Sequence, residues 1–257
     1  MPANYNLGKL KDHGRIKLFY FILLIIFIYS MLFEFLLRAD SIMPRPSIMI
    51  ESFFSLINHY HLFENLLFTS SLIYFSLAIS YFMLYFSSRF LLKLNRNIIA
   101  KELLRIFKYL PIIGFSAIAF LWVPSAVFAE LLISVLIAFI LILFKFLDAA
   151  YCIKDEYIEA AISIRSKEKN ILQEITWKSA LPSVIQYLSK LNFILWALIP
   201  LFEAFRNRFG IGLIFRQCYE FRDLSGLFAL SIATAIIIIL GDLLLKLIQK
   251  MLIHWEP

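Results

Sequence analysis

Six stretches of this chain, at about 18–37, 65–86, 104–123, 126–147, 184–204 and 227–247, are dominated by apolar side chains, and none holds more than two charged ones. About 20 such residues are what a helix needs to cross roughly 30 Å of hydrocarbon. A backbone in lipid must satisfy its own polar groups, so each stretch reads as a spanning helix. Composition agrees: 61% of the 257 residues are apolar and 17% charged, against about 45–50% and about 25% in soluble domains. The mean hydropathy is +0.82. The expected fold is therefore all-α, one polytopic transmembrane domain over residues 1–257 with six spanning helices.

Lysine and arginine set the expected orientation, because they gather in cytoplasmic segments. The basic segments are the N-terminal tail, the stretch with Arg89, Lys93, Arg96, Lys101 and Arg105, the stretch from Lys154 to Lys178, and the end with Lys246 and Lys250. Alternate segments are thus cytoplasmic, and both termini are expected there. Arg206, Arg208, Arg216 and Arg222 lie between the last two spans and run against the rule, partly balanced by Glu203, Glu220 and Asp223. The net charge of +7 comes from these loops rather than from a nucleic-acid motif, so no nucleic-acid partner is expected. The first span follows Lys9, Lys11, Arg15 and Lys17 like a signal peptide, but it is too long and lacks a cleavage site. Cys152 and Cys218 are expected in loops on opposite faces, without the spacing of a metal site.

Two shorter elements stand out between the spans. Pro44 to Ile57, with Pro46 and Ser47 ahead of an apolar-periodic stretch, predicts a short interfacial helix on the outer side. Residues 148–183 form the one long polar connection assigned to the cytoplasm, where function is expected to reside. Within it, Tyr157–Ile164 predicts a short helix, Arg165–Asn170 a polar break, and Ile171–Trp177 a second helix ending near Leu181–Pro182. Ile158, Ala161, Ile162, Ile171, Leu172 and Ile175 are available to dock a partner groove.

In this loop, Glu159-Ala160-Ala161 is followed twenty-two and twenty-three positions later by Leu181-Pro182. The pattern resembles the "EAA loop" of membrane subunits of bacterial ATP-binding-cassette importers of the nitrate, sulfonate and taurine type. Further similarities follow in order: Glu34, Met43-Pro44-Arg45-Pro46-Ser47, Pro111 to Trp122, Gly210-Ile211-Gly212-Leu213-Ile214, Gly241-Asp242 and Trp255. Together they cover about residues 18–255. The resemblance implies a type I importer permease in the bacterial inner membrane, paired with a second copy or a close homologue. It implies cytoplasmic ATPase subunits docked through Glu159, Ala160, Ala161, Arg165, Leu181 and Pro182, and a periplasmic solute-binding protein. It also implies a solute site among spans two to five, and no cofactor on this chain, ATP and Mg being held by the ATPase. No Gly-x-x-x-x-Gly-Lys-Ser/Thr occurs and no nucleophile–base arrangement stands out, so the chain itself is not expected to be an enzyme.

The departures define a rival reading, a non-transporting membrane scaffold or assembly factor built on the same frame. Arg165 stands where the family has a glycine, and Trp177-Lys178 where it has the first of two Leu-Pro pairs. Only seven glycines occur, about 18 being average, so close helix contacts are expected to use Ala and Ser. Of the charges inside spans, Glu130 is expected as a hydrated or interfacial carboxylate, or else facing the translocation path. Lys145 is expected to snorkel, and Asp242 to make a structural contact. His59, His61 and Glu64 read as an interfacial polar rim rather than a metal site.

Overall fold

The computed structural model describes residues 23–36, 43–95, 121–151, 176–206 and 209–253, with isolated positions elsewhere, and every element among them is helical. Helix α1 covers Leu23–Phe35 and opens into π geometry over Leu32–Leu36. Then come α2, Pro46–His59; α3, Leu62–Asn95; α4, Ala126–Tyr151; and α5, Thr176–Arg206. The last two are α6, Ile211–Glu220, and α7, Leu224–Leu252.

Four of these, α3, α4, α5 and α7, are long and apolar enough to cross a membrane. They match the spans expected at 65–86, 126–147, 184–204 and 227–247; α3, α5 and α7 run past both expected ends, and α4 starts where expected and runs past its far end. The first expected span, 18–37, is described mainly as the short helix α1, and the third, 104–123, falls almost wholly outside the described residues. The short helix expected at 44–57 is α2, with proline in its first turn, where the missing N–H costs nothing.

Three expectations are corrected. No helix ends at Leu181–Pro182: α5 begins at Thr176 and continues through both residues, with Pro182 and Pro200 inside it. Proline removes one N–H, and here the rest of a long apolar helix keeps the backbone in register. Glu130 is neither hydrated nor interfacial, since no part of it is exposed. Cys218 lies in a helix rather than a loop and is fully buried.

The chain divides into two compact units, residues 1–61 with 218–232, and residues 62–217 with 233–257. In the first, the Tyr29 hydroxyl donates to the Pro44 carbonyl at 2.7 Å, and Ser47 donates to Glu34 at 2.9 Å. Arg45 offers α2 no side-chain cap of its own, so the Glu34 carboxylate stands at that positive helix end instead. Asp223 does the same for α7, accepting from the Gly226 N–H at 2.9 Å and the Ser225 hydroxyl at 2.7 Å.

The second unit is built on α3, α4 and α5, which pack on one another, most extensively α4 with α5. Ile73, Leu84, Ile137, Ile142, Leu191, Leu195 and Ile199 fill its core. Close approach uses alanine and serine, as the shortage of glycine requires: Ala129, Ala138 and Ala180 have no exposed surface. The Ser80 hydroxyl lies between the carbonyls of Ser76, 2.7 Å, and Val135, 3.0 Å, joining α3 to α4.

Candidate functional site

Of the residues expected to hold an ATPase, Glu159, Ala160, Ala161 and Arg165 lie outside the described residues. Leu181 and Pro182 are in the second turn of α5, Pro182 buried and Leu181 partly so. They belong to the foot of a membrane helix rather than to a free loop. Just before them, the Trp177 ring meets Tyr85 at 5.2 Å and Tyr81 at 6.1 Å on α3, and Phe146 at 5.5 Å on α4.

The middle of the same unit carries polar groups that sequence reading did not single out. Asn192 is 1% exposed and neither atom of its amide has a hydrogen-bond partner. One turn along α5, the buried Trp196 indole N–H faces the Tyr74 hydroxyl on α3, so these two groups have each other while the Asn192 amide has neither. Tyr74 reaches across to α7, where a Cβ at Gly241 would collide with its hydroxyl. Glu130 lies at a similar depth: α4 and α5 run antiparallel from the Phe146–Trp177 contact, and equal numbers of residues lead back to Glu130 and forward to Phe193. A stranded buried polar group costs about 1–3 kcal/mol, and a membrane interior offers no water to relieve it. Groups of this kind mark pathways in membrane proteins.

The end of the unit away from Trp177 is closed by Glu203, a fully buried carboxylate on α5. Thr69 on α3 donates its hydroxyl to Glu203 Oε1 at 2.6 Å and accepts the Ile211 N–H at 3.0 Å. The Gly212 N–H donates to Glu203 Oε2 at 2.8 Å, and Gly210 N–H to Asn65 Oδ1 at 2.7 Å. Three residues on α3 and α5, Asn65, Thr69 and Glu203, thus satisfy the free N–H groups of Gly210, Ile211 and Gly212 at the start of α6, with a carboxyl group at its positive end. The glycines follow from the crowding. Gly210 has φ +104, and a Cβ there would fall into the Glu203 carboxyl; a Cβ at Gly212 would strike the Pro200 carbonyl. Sequence reading matched the Gly-Ile-Gly stretch but counted Glu203 as a loop charge, because nothing in the spacing shows that it turns inward.

Asp242 makes the structural contact expected of it, an ion pair one turn along α7 with Lys246 at 2.6 Å. His59 closes α2, His61 has φ 48 and Glu64 opens α3, and no cluster of three metal-ligating side chains occurs among the described residues.

No curated protein matches this chain. A family model, described as the binding-protein-dependent transport system inner membrane component, matches residues 96–255. The match takes in α4, α5, α6, α7 and the whole connection between α4 and α5. Covering well over half of the sequence, it shows that the chain belongs to this family of ABC-type permease subunits embedded in the membrane.

Proposed function

We propose that the chain is the membrane subunit of an ATP-driven importer, of the kind that handles nitrate, sulfonates and taurine. It spans the inner membrane six times, with further crossings at 18–37 and 104–123 and both termini cytoplasmic. It works as a pair with itself or a close homologue. Two ATPase subunits dock on its 148–183 connections through Glu159, Ala160, Ala161, Arg165, Leu181 and Pro182, and a periplasmic binding protein delivers the solute. Closure of the ATPases on ATP moves the connection, and the spans rock between inward-open and outward-open states. The unpartnered amide of Asn192, one turn from Trp196, is then the group that water or solute satisfies as the path opens.

The family match, which runs through the connection between α4 and α5, is the observation that carries this reading. It is supported by the extensive packing of those two helices: displacement of the connection between them acts directly on the core of the unit. The test is affinity purification of the chain from its native membranes. An ATPase with Walker motifs is expected to accompany it and to be lost with Glu159→Lys. Full retention by that variant excludes docking at Glu159, and absence of any ATPase from the wild-type preparation leaves the scaffold reading in its place.

A further inference from the structure

We infer that Trp177 is the positioning residue through which movement of the 148–175 connection enters the membrane bundle. The inference rests on the importer reading, and it adds a part that neither the family nor the docking residues specify. Trp177 is the second residue of α5, so whatever displaces the connection displaces it first. Around it in the opening turn, Lys178 and Ser179 are exposed and Ala180 is buried but carries only a methyl group. The indole meets aromatic rings on both α3 and α4.

The three ring contacts differ in kind. Tyr85 meets the indole edge-on at 74°, Tyr81 at 57° and Phe146 at 46°. Tyr81 and Tyr85 are one turn apart on α3, and Phe146 has no exposed surface on α4. Aromatic pairs favour particular tilts and offsets, so an indole held on three rings does not slide without disturbing all of them. A small side chain in its place leaves the foot of α5 free to shift while α3 and α4 stay still. Trp177 thus makes the foot of α5 move as one body with α3 and α4.

The test uses the full chain purified with its native ATPase, carrying Cys152→Ser, Cys218→Ser and a reporter Glu64→Cys at the far, exposed end of α3. Maleimide labelling of the reporter is timed with and without ATP, Mg2+ and orthovanadate. With Trp177 present, trapping is expected to change the rate at least about fivefold; with Trp177→Ala the change falls below about twofold while the ATPase still co-purifies in full. Trp177→Phe is expected to restore the response. A full response in Trp177→Ala overturns the inference. So does loss of the ATPase or of thermal stability in that variant without rescue by phenylalanine, because the residue is then merely structural. A wild-type chain that brings down no ATPase fails the importer reading itself, a separate result visible before any variant is made.

Discussion

Thr69→Val is the most direct test of the Glu203 closure, because it keeps shape and removes one oxygen. That oxygen makes two bonds, donating to Glu203 at 2.6 Å and accepting from Ile211 at 3.0 Å. Losing the charge-assisted bond costs about 1.5–3 kcal/mol, and stranding the buried Ile211 N–H a further 1–3 kcal/mol or so. A destabilisation of about 3–5 kcal/mol is expected, read by reversible unfolding in mixed micelles. Thr69→Ser keeps the hydroxyl and should lose only about 1 kcal/mol for the missing methyl. In a double-mutant cycle, Thr69→Val and Glu203→Gln should be strongly non-additive, since both act on one network. A Thr69→Val protein within about 0.5 kcal/mol of wild type, or strict additivity in the cycle, refutes the closure as the element that ties α3 to the α5–α6 turn.

Three further outcomes follow from described contacts. Asn192→Leu replaces an amide with two unpartnered atoms by an apolar side chain, so unfolding should show a gain of about 1–2 kcal/mol while transport falls; a loss of stability would mean the amide is satisfied after all. Gly210→Ala meets both the φ of +104 and the Glu203 carboxyl, and should cost at least about 2 kcal/mol, checked by the same unfolding assay. Burial pushes the Cys218 thiol from 9.0 up to about 11, so in a Cys152→Ser background it should resist alkylation at neutral pH until the protein unfolds. The sign is that of an acid kept neutral by the fold: its stabilising share is intact below pH 9 and drains away between pH 9 and about 11. A flat stability profile over that window in wild type, matching Cys218→Ala, would count against it.

The apolar runs were legible because hydrocarbon imposes length and composition together, and α3, α4, α5 and α7 lie where the runs do. Helix ends were not legible. Thr176–Ser179 read as the end of a separate short helix, yet they open the spanning helix α5, with α4 and the foot of α3 packed against them through Trp177. The proline rule misplaced a terminus at Pro182, for a proline in an apolar helix can be carried by the helices around it. Glu34 and Ser47 were matched as separate elements, and the fold brings them into one hydrogen bond. Asn192 and Trp196 left a faint signal, two polar-tipped side chains one turn apart in an apolar run. Glu203 left none, since its burial depends on a turn whose geometry only Gly210 and Gly212 permit. The docking quartet Glu159, Ala160, Ala161 and Arg165 lies outside the described residues.

Pro182 and Pro200 sit about five turns apart in α5. Each withholds an N–H, so the carbonyls of Lys178 and Trp196 lose their intrahelical partners. A rod with two such joints bends at its ends and stays stiff between them. The stiff middle carries Asn192 and the second joint adjoins Glu203, so tilting at one extremity can reorient the central amide without unlocking the other.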